Sequence, residues 1–114
     1  MSAITVPELA LWQRAGLAHT LLDVRRAEKR AADGDEITGG AWLDPARWLD
    51  WKDGVARDRP VVLYCAHGHE ISQGLSAALR AMGLDARHLI GGIDSWRRAG
   101  QGLSHDGPPV GTAP

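Results

Sequence analysis

The chain predicts an α/β domain with a mostly parallel central sheet and helices on both faces. Three observations lead there. Short apolar runs alternate with amphipathic segments through short polar connections, as strands and helices that take turns must do. The run Val61-Val62-Leu63-Tyr64 is apolar without alternation, the pattern of a strand buried on both faces. A length of 114 residues, 44% of them hydrophobic, supports one domain with its own core and leaves no room for a second.

The elements follow in order. Thr5-Val6-Pro7-Glu8 reads as a capping box, Thr5 at N-cap and Glu8 at N3, opening a helix with Val6, Leu9 and Trp12 on one face that stops at Gly16. Leu21 to Arg25 is the first clear core strand. The charged segment Arg26 to Glu36 predicts a short exposed helix through Ala27 to Ala32 and a turn at Asp33-Gly34-Asp35. It reads as a solvated face and is assigned no chemistry. Ala41-Trp42-Leu43 predicts a short strand, and Asp44-Pro45, an N-cap with proline at N1, opens a helix carrying Trp48. After the strand at Val61, residues Ile71, Leu75, Ala78, Leu79 and Met82 share one helical face, with Ser72 as N-cap and Gly83 as stop. Ala86 to Ile90 repeats the strand pattern, and Ile93, Trp96 and Ala99 complete a short helix ending near Gly100. The domain is expected over residues 1–100. Residues 101–114, rich in Gly and Pro and without periodicity, read as a mobile tail.

Composition narrows the function. The formal net charge is −1, and the charged residues are interspersed, so there is no basic stripe for nucleic acid and no polybasic segment for a membrane. The start of the chain lacks a charged region followed by a long apolar core, and no run approaches a membrane span, so a cytoplasmic protein is expected. The five tryptophans, Trp12, Trp42, Trp48, Trp51 and Trp96, are spaced as separate core or rim residues. A single cysteine excludes an intrachain disulfide, a C-x-x-C redox pair and a cysteine-rich zinc site.

That cysteine, Cys65, follows the strand Val61 to Tyr64 and enters a small polar loop, Ala66-His67-Gly68-His69-Glu70-Ile71, just before a helix. Backbone N–H groups left unpaired at a helix N-terminus, together with the helix dipole, stabilise an anion there, whether thiolate or bound substrate. Cys65 is therefore a candidate nucleophile and residues 66–71 the candidate substrate cradle, with Gly68 allowing the turn that makes successive N–H groups converge. A second reading stays open in which Cys65 is a small buried hydrophobe at a strand end. His67 and His69 likewise have two readings: imidazolium groups that favour an anion, or loop histidines bonded to backbone or water. Cys65-x-His67-x-His69 makes a poor metal site, since alternate residues of a tight loop rarely converge on one ion and no second cysteine completes the shell.

Cys65 followed three residues later by Gly68 resembles the active-site loop of the rhodanese family, C-x-x-G-x-R. Leu21-Leu22-Asp23-Val24-Arg25 is similar to that family's hydrophobic-D-V-R strand, and Gly40-Ala41 to the end of its H-I-P-G-A segment. Leu89-Ile90-Gly91-Gly92-Ile93-Asp94-Ser95-Trp96 resembles its closing L-x-G-G-x-x-x-W. The pieces occur in the family order. The resemblance implies about five strands, no metal or organic cofactor, and a sulfurtransferase in which Cys65 carries a sulfane sulfur as a persulfide. Donors would be thiosulfate, a persulfide or a polysulfide, and acceptors cyanide or thiols. Asp23 and Arg25 would be structural, with Arg25 near the substrate as a further possibility, and the Gly91-Gly92 pair would permit close backbone approach to the loop.

Two departures stand out. Glu70 occupies the position where the loop often carries Arg, and Thr38-Gly39 precede Gly40-Ala41 where the family has proline. A carboxylate at position 70 opposes the thiosulfate dianion. A longer C-x-x-x-x-x-R register, as in dual-specificity phosphatases and arsenate reductases, would place its arginine at Ile71, so those chemistries lack their anion clamp. The competing function is a non-catalytic rhodanese-like module that binds a protein partner or senses an oxyanion or reactive sulfur.

Overall fold

The computed structural model describes residues 2–105. Two short strands and a capped helix open the fold: β1 (Ala3–Ile4), α1 (Val6–Ala15) and β2 (Thr20–Asp23). The capping box is formed, with the Glu8 N–H donating to Thr5 Oγ1 at 3.3 Å and the Thr5 N–H donating to Glu8 Oε1 at 3.0 Å. Gly16 ends α1 in the left-handed conformation, φ 68°. Next come α2 (Ala27–Asp33), β3 (Asp35–Ile37) and β4 (Ala41–Trp42). The helix expected from Asp44-Pro45 is a 3-10 turn, Pro45–Arg47, leading into the single turn α3 (Trp48–Trp51). Asp44 still caps it, its Oδ1 accepting from the Ala46 N–H at 2.9 Å.

The second half is β5 (Val61–Tyr64), α4 (Glu70–Ala81), β6 (Ala86–Leu89), α5 (Gly92–Arg98) and β7 (Leu103–His105). Five strands form one wholly parallel sheet in the order β1-β6-β5-β2-β4. Leu103–His105 lies inside the segment read from composition as a tail, yet it pairs antiparallel with β3, Leu103 opposite Ile37. Backbone pairing to a partner distant in sequence leaves no trace in local composition. The remainder of that expected tail, 106–114, lies outside the described residues.

The strand period of two sorts the core into two layers. Val62 and Tyr64 pack on one face with Ile4, Leu9, Leu21, Leu89, Ile93 and Trp96. Val61 and Leu63 pack on the other with Leu22, Val24, Val55, Leu79, Leu84 and Ala86, and Leu75 and Met82 close over them. Every residue of β5 is fully buried, as its unbroken apolar run requires. Tryptophans 12, 48 and 51 border these layers and Trp96 sits inside one, its Nε1–H donating to the Gly102 carbonyl at 2.8 Å. Among the described residues no helix is long and apolar enough to cross a membrane.

Candidate active site

Cys65 follows the last residue of β5, and β5 is flanked by β2 and β6, so the thiol stands at the carboxyl edge of the sheet, where parallel α/β folds place ligands. The chain then turns through Ala66–His69 into α4. What shapes this turn is its contact with the start of α5. Gly68 adopts φ 75°, and a Cβ on it would lie 2.7 Å from Gly91 N and from Leu89 O. A Cβ on Gly92 would collide with Cys65 O and lie 2.7 Å from Gly68 N. Gly68 and Gly92 are needed because two backbones touch there; of the Gly91-Gly92 pair expected to allow this approach, Gly92 makes it, while a Cβ on Gly91 would meet Ser95.

Three carbonyls of the loop are tied back. Cys65 O accepts from the Ile93 N–H at 3.0 Å, Ala66 O from the Asp94 N–H at 3.1 Å, and Gly68 O from Gln73 Nε2 at 2.8 Å. In a planar trans peptide the N–H points opposite to the carbonyl. The N–H groups of Ala66, His67 and His69 are thus turned away from those donors. None of the N–H groups of residues 66–71 is hydrogen-bonded among the described residues.

The cleft beside the thiol measures about 490 Å³ and is lined by Arg25, Arg26, Lys29, Cys65, Ala66, His67, His69, Glu70 and Ile71. Cys65 is 6% exposed and forms part of its wall. Of the residues expected in the cradle only Gly68 is not on the wall, being occupied by its contact with Gly91. His67 Nδ1 lies 3.8 Å from Asp94 Oδ2, and the two loop imidazoles stand with ring centres 6.2 Å apart. Glu70 is exposed and sits in the first turn of α4, where a carboxylate complements the helix dipole. It also lines the cleft, so the helix-terminal position and the cleft position coincide.

Arg25 is fixed rather than free. Its guanidinium is fully buried and meets Asp23 through Nε at 3.0 Å and Nη2 at 2.7 Å, while Nη2 also donates to the Asp35 carbonyl at 2.7 Å. Burial works against the cation, but the hydrogen bonds and charge of Asp23 outweigh it and hold the guanidinium above its usual pKa. Arg97, from α5, bridges Asp35 at 2.6 Å and Asp33 at 3.2 Å, which lowers the Asp35 carboxyl and raises the guanidinium. The Tyr64 hydroxyl accepts from the Ile37 N–H at 3.1 Å, and burial, then the Asp23 charge, pushes its pKa up. This network ties β2, β3 and α5 together beneath the cleft. The segment read as a solvated face therefore supplies two structural carboxylates, Asp33 and Asp35, and two cleft residues, Arg26 and Lys29. Lys29 pairs with Asp33 at 3.1 Å, whereas the Arg26 guanidinium has no ion pair among the described residues.

Ser72 is misplaced by the sequence reading. The helix begins at Glu70, with His69 at the cap position, so Ser72 lies inside the first turn, fully buried, with its hydroxyl 3.2 Å from Cys65 Sγ. The available signal was the spacing of Ser72, Ser76 and Leu79, the three buried residues of α4, which marks the stripe facing the sheet.

The family description of the rhodanese-like domain matches residues 5–99. The chain belongs to the rhodanese-like family. Rhodanese-like relatives include the probable adenylyltransferase/sulfurtransferase MoeZ of Mycobacterium tuberculosis, 36% identical over 101 residues that make up 85% of this chain and 25% of MoeZ. The chain thus spans about a quarter of that protein. The thiosulfate sulfurtransferase GlpE of Actinobacillus succinogenes is 35% identical over 81 residues, 70% of each chain. Among solved structures, the rhodanese-like domain protein of Staphylococcus aureus is 25% identical with a TM-score of 0.79, covering 94% of this chain and all of that one. A rhodanese-related protein from Thermoplasma volcanium shares the fold at TM-score 0.78 and 24% identity, covering 91% of this chain and 98% of its own.

Proposed function

We propose that this rhodanese-like domain is a sulfurtransferase that carries a sulfane sulfur on Cys65. The observation that carries the reading is the loop itself: the only thiol of the chain stands at the sheet edge, within a turn whose carbonyls are tied back and whose N–H groups have no acceptor among the described residues. The sulfurtransferase names of the MoeZ and GlpE relatives point the same way.

With thiosulfate, the Cys65 thiolate attacks the outer sulfur with a lone pair, the donor S–S bond breaks, and its electron pair leaves on sulfite. Thiolate and thiosulfate together carry three negative charges, as do the persulfide anion and sulfite. With a protonated persulfide R–S–SH, the products are Cys65–S–SH and R–S⁻. Cyanide or a thiolate then attacks the terminal sulfur and returns the electron pair of that bond to Cys65 Sγ. The unpaired N–H groups meet the negative charge of donor and persulfide, and hydrogen bonds to charged groups contribute about 1.5–3 kcal/mol each. Residues Ala66, His67, His69, Glu70 and Ile71 form the substrate wall, and Gly68 shapes it. The partners are small molecules: a sulfur donor and a cyanide or thiol acceptor, in the cytoplasm. No step calls for a metal or organic cofactor.

Glu70 favours a second reading, a rhodanese-like module that binds a partner or senses reactive sulfur without turnover, since a carboxylate stands where an anionic donor would enter. Intact-protein mass spectrometry after exposure to thiosulfate, a polysulfide and a low-molecular-weight persulfide separates the two. The enzyme gains one sulfur that cyanide removes as thiocyanate, and Cys65→Ser gains none. A wild-type chain that takes no sulfur from any of the three rejects the proposal.

A further inference from the structure

Ser72 lies behind the sulfur rather than in the cleft. Its side chain is fully buried, and Cys65 Sγ, at 3.2 Å, is the one hydrogen-bond partner of its hydroxyl among the described residues. A serine inside a helix ordinarily turns its hydroxyl back to the carbonyl four residues earlier. Here that carbonyl is Gly68 O, and Gln73 Nε2 already donates to it at 2.8 Å. A buried hydroxyl without a partner is costly, and the packing of α4 on β5 pairs the Ser72 hydroxyl with the sulfur; once Cys65 is ionised the sulfur can only accept, so the hydroxyl is the donor.

We propose that Ser72 is a catalytic residue, donating a hydrogen bond to the Cys65 thiolate as nucleophile and, above all, as leaving group. The proposal rests on the sulfurtransferase reading. When Cys65 is ionised for attack, the negative charge is on Sγ, 3.2 Å from the hydroxyl. After loading, the lone pair that attacked has become the Sγ–S bond, Sγ is a neutral bridging atom, and the charge sits on the terminal sulfur about 2 Å farther out. The N–H groups of the loop can follow it; Ser72, on the buried side, cannot. Since a hydrogen bond to an ionised acceptor is about twice as strong as a neutral one, Ser72 favours the free thiolate over the persulfide. When the acceptor attacks the terminal sulfur, the bond pair returns to Sγ and the full hydrogen bond is regained as the thiolate departs. The hydroxyl therefore assists discharge more than loading.

The single cysteine makes the test unambiguous, because alkylation by iodoacetamide reports Cys65 alone. Ser72→Ala removes one oxygen and places a better helix former in α4, so the chain folds, as circular dichroism will verify. In Ser72→Ala the midpoint of the alkylation rate against pH rises by about one unit relative to wild type. Single-turnover discharge of the polysulfide-loaded protein to cyanide slows by about tenfold. Ser72→Thr, which keeps the hydroxyl, restores both. An unchanged midpoint in Ser72→Ala overturns the hydrogen bond to the thiolate, and an unchanged discharge rate overturns the leaving-group role. If the wild type accepts no sulfur at all, the sulfurtransferase reading falls, while the alkylation arm still decides whether Ser72 holds the thiolate.

Discussion

Gly92→Ala tests the idea that backbone contact with α5 shapes the loop around Cys65. Gly92 has φ 60°, a left-handed conformation that costs an alanine about 1–2 kcal/mol. Its Cβ would stand 2.7 Å from Gly68 N and 2.8 Å from Ala66 C, in addition to its collision with Cys65 O. All three are backbone atoms, so no side chain can rotate aside, and restoring ordinary contact with the nearest of them, Cys65 O, requires the loop to retreat by about 1 Å. Overpacking of this kind costs a further 1–3 kcal/mol or so, for a total of about 2–5 kcal/mol. At roughly 4–8 °C per kcal/mol for a domain of this size, thermal unfolding should drop by about 10 °C or more. Loss of sulfur transfer should be larger still, since misplacing a catalytic group by about 1 Å costs about a hundredfold. Two controls isolate the cause. Gly16 has φ 68° with nothing within 4 Å of the place an added methyl would occupy, so Gly16→Ala carries the conformational cost alone. Gly74, exposed inside α4 and equally open, should gain about 0.8–1 kcal/mol on replacement by Ala. The measurements are differential scanning calorimetry and steady-state transfer to cyanide. A Gly92→Ala protein no less stable than Gly16→Ala and fully active would refute the packing argument.

Three further outcomes are expected. Asp23→Ala leaves the Arg25 guanidinium buried without its main partner and should destabilise the fold by about 3–5 kcal/mol in denaturant titrations; a loss under about 1 kcal/mol would show that Asp33 and the Asp35 carbonyl suffice. The Asp35 carboxyl is held below its usual range, first by the Arg97 hydrogen bond and also by the Arg97 charge, so its contribution to stability is present above the unfolded value of about 4 and is lost as pH falls through the lower folded value. Asp35→Asn should accordingly lower the melting temperature at about pH 7 and flatten its decline between about pH 5 and 3, and an unaltered decline would rule Asp35 out as a source of acid sensitivity. Glu70→Arg should lower the thiosulfate KM several-fold at low salt and less at high salt, because a unit charge about 4 Å from another contributes up to about 4 kcal/mol before screening. A KM that does not move at low salt would leave Glu70 with only its helix-terminal role.

Local rules carried much of the architecture into the sequence. The Thr5–Glu8 capping box, the left-handed stops at Gly16 and Gly34 and the unbroken apolar run of β5 act within a few residues of themselves, so pattern alone placed α1, the end of α2 and the central strand. The family order of Asp23-Val24-Arg25, Cys65-x-x-Gly68 and Gly91-Gly92 pointed to the rhodanese-like domain and to the cleft. Tertiary structure alone decided the rest, because it depends on partners far apart in sequence. Leu103–His105 becomes a strand only beside β3, Asp33 and Asp35 become structural only because Arg25 from the end of β2 and Arg97 from α5 converge on them, and Arg26 and Lys29 face the cleft only because the fold sets them opposite the start of α4. Ser72, legible as a cap, is instead set behind the thiol because the helix starts earlier, at Glu70, and the sheet face of α4 brings it onto Cys65.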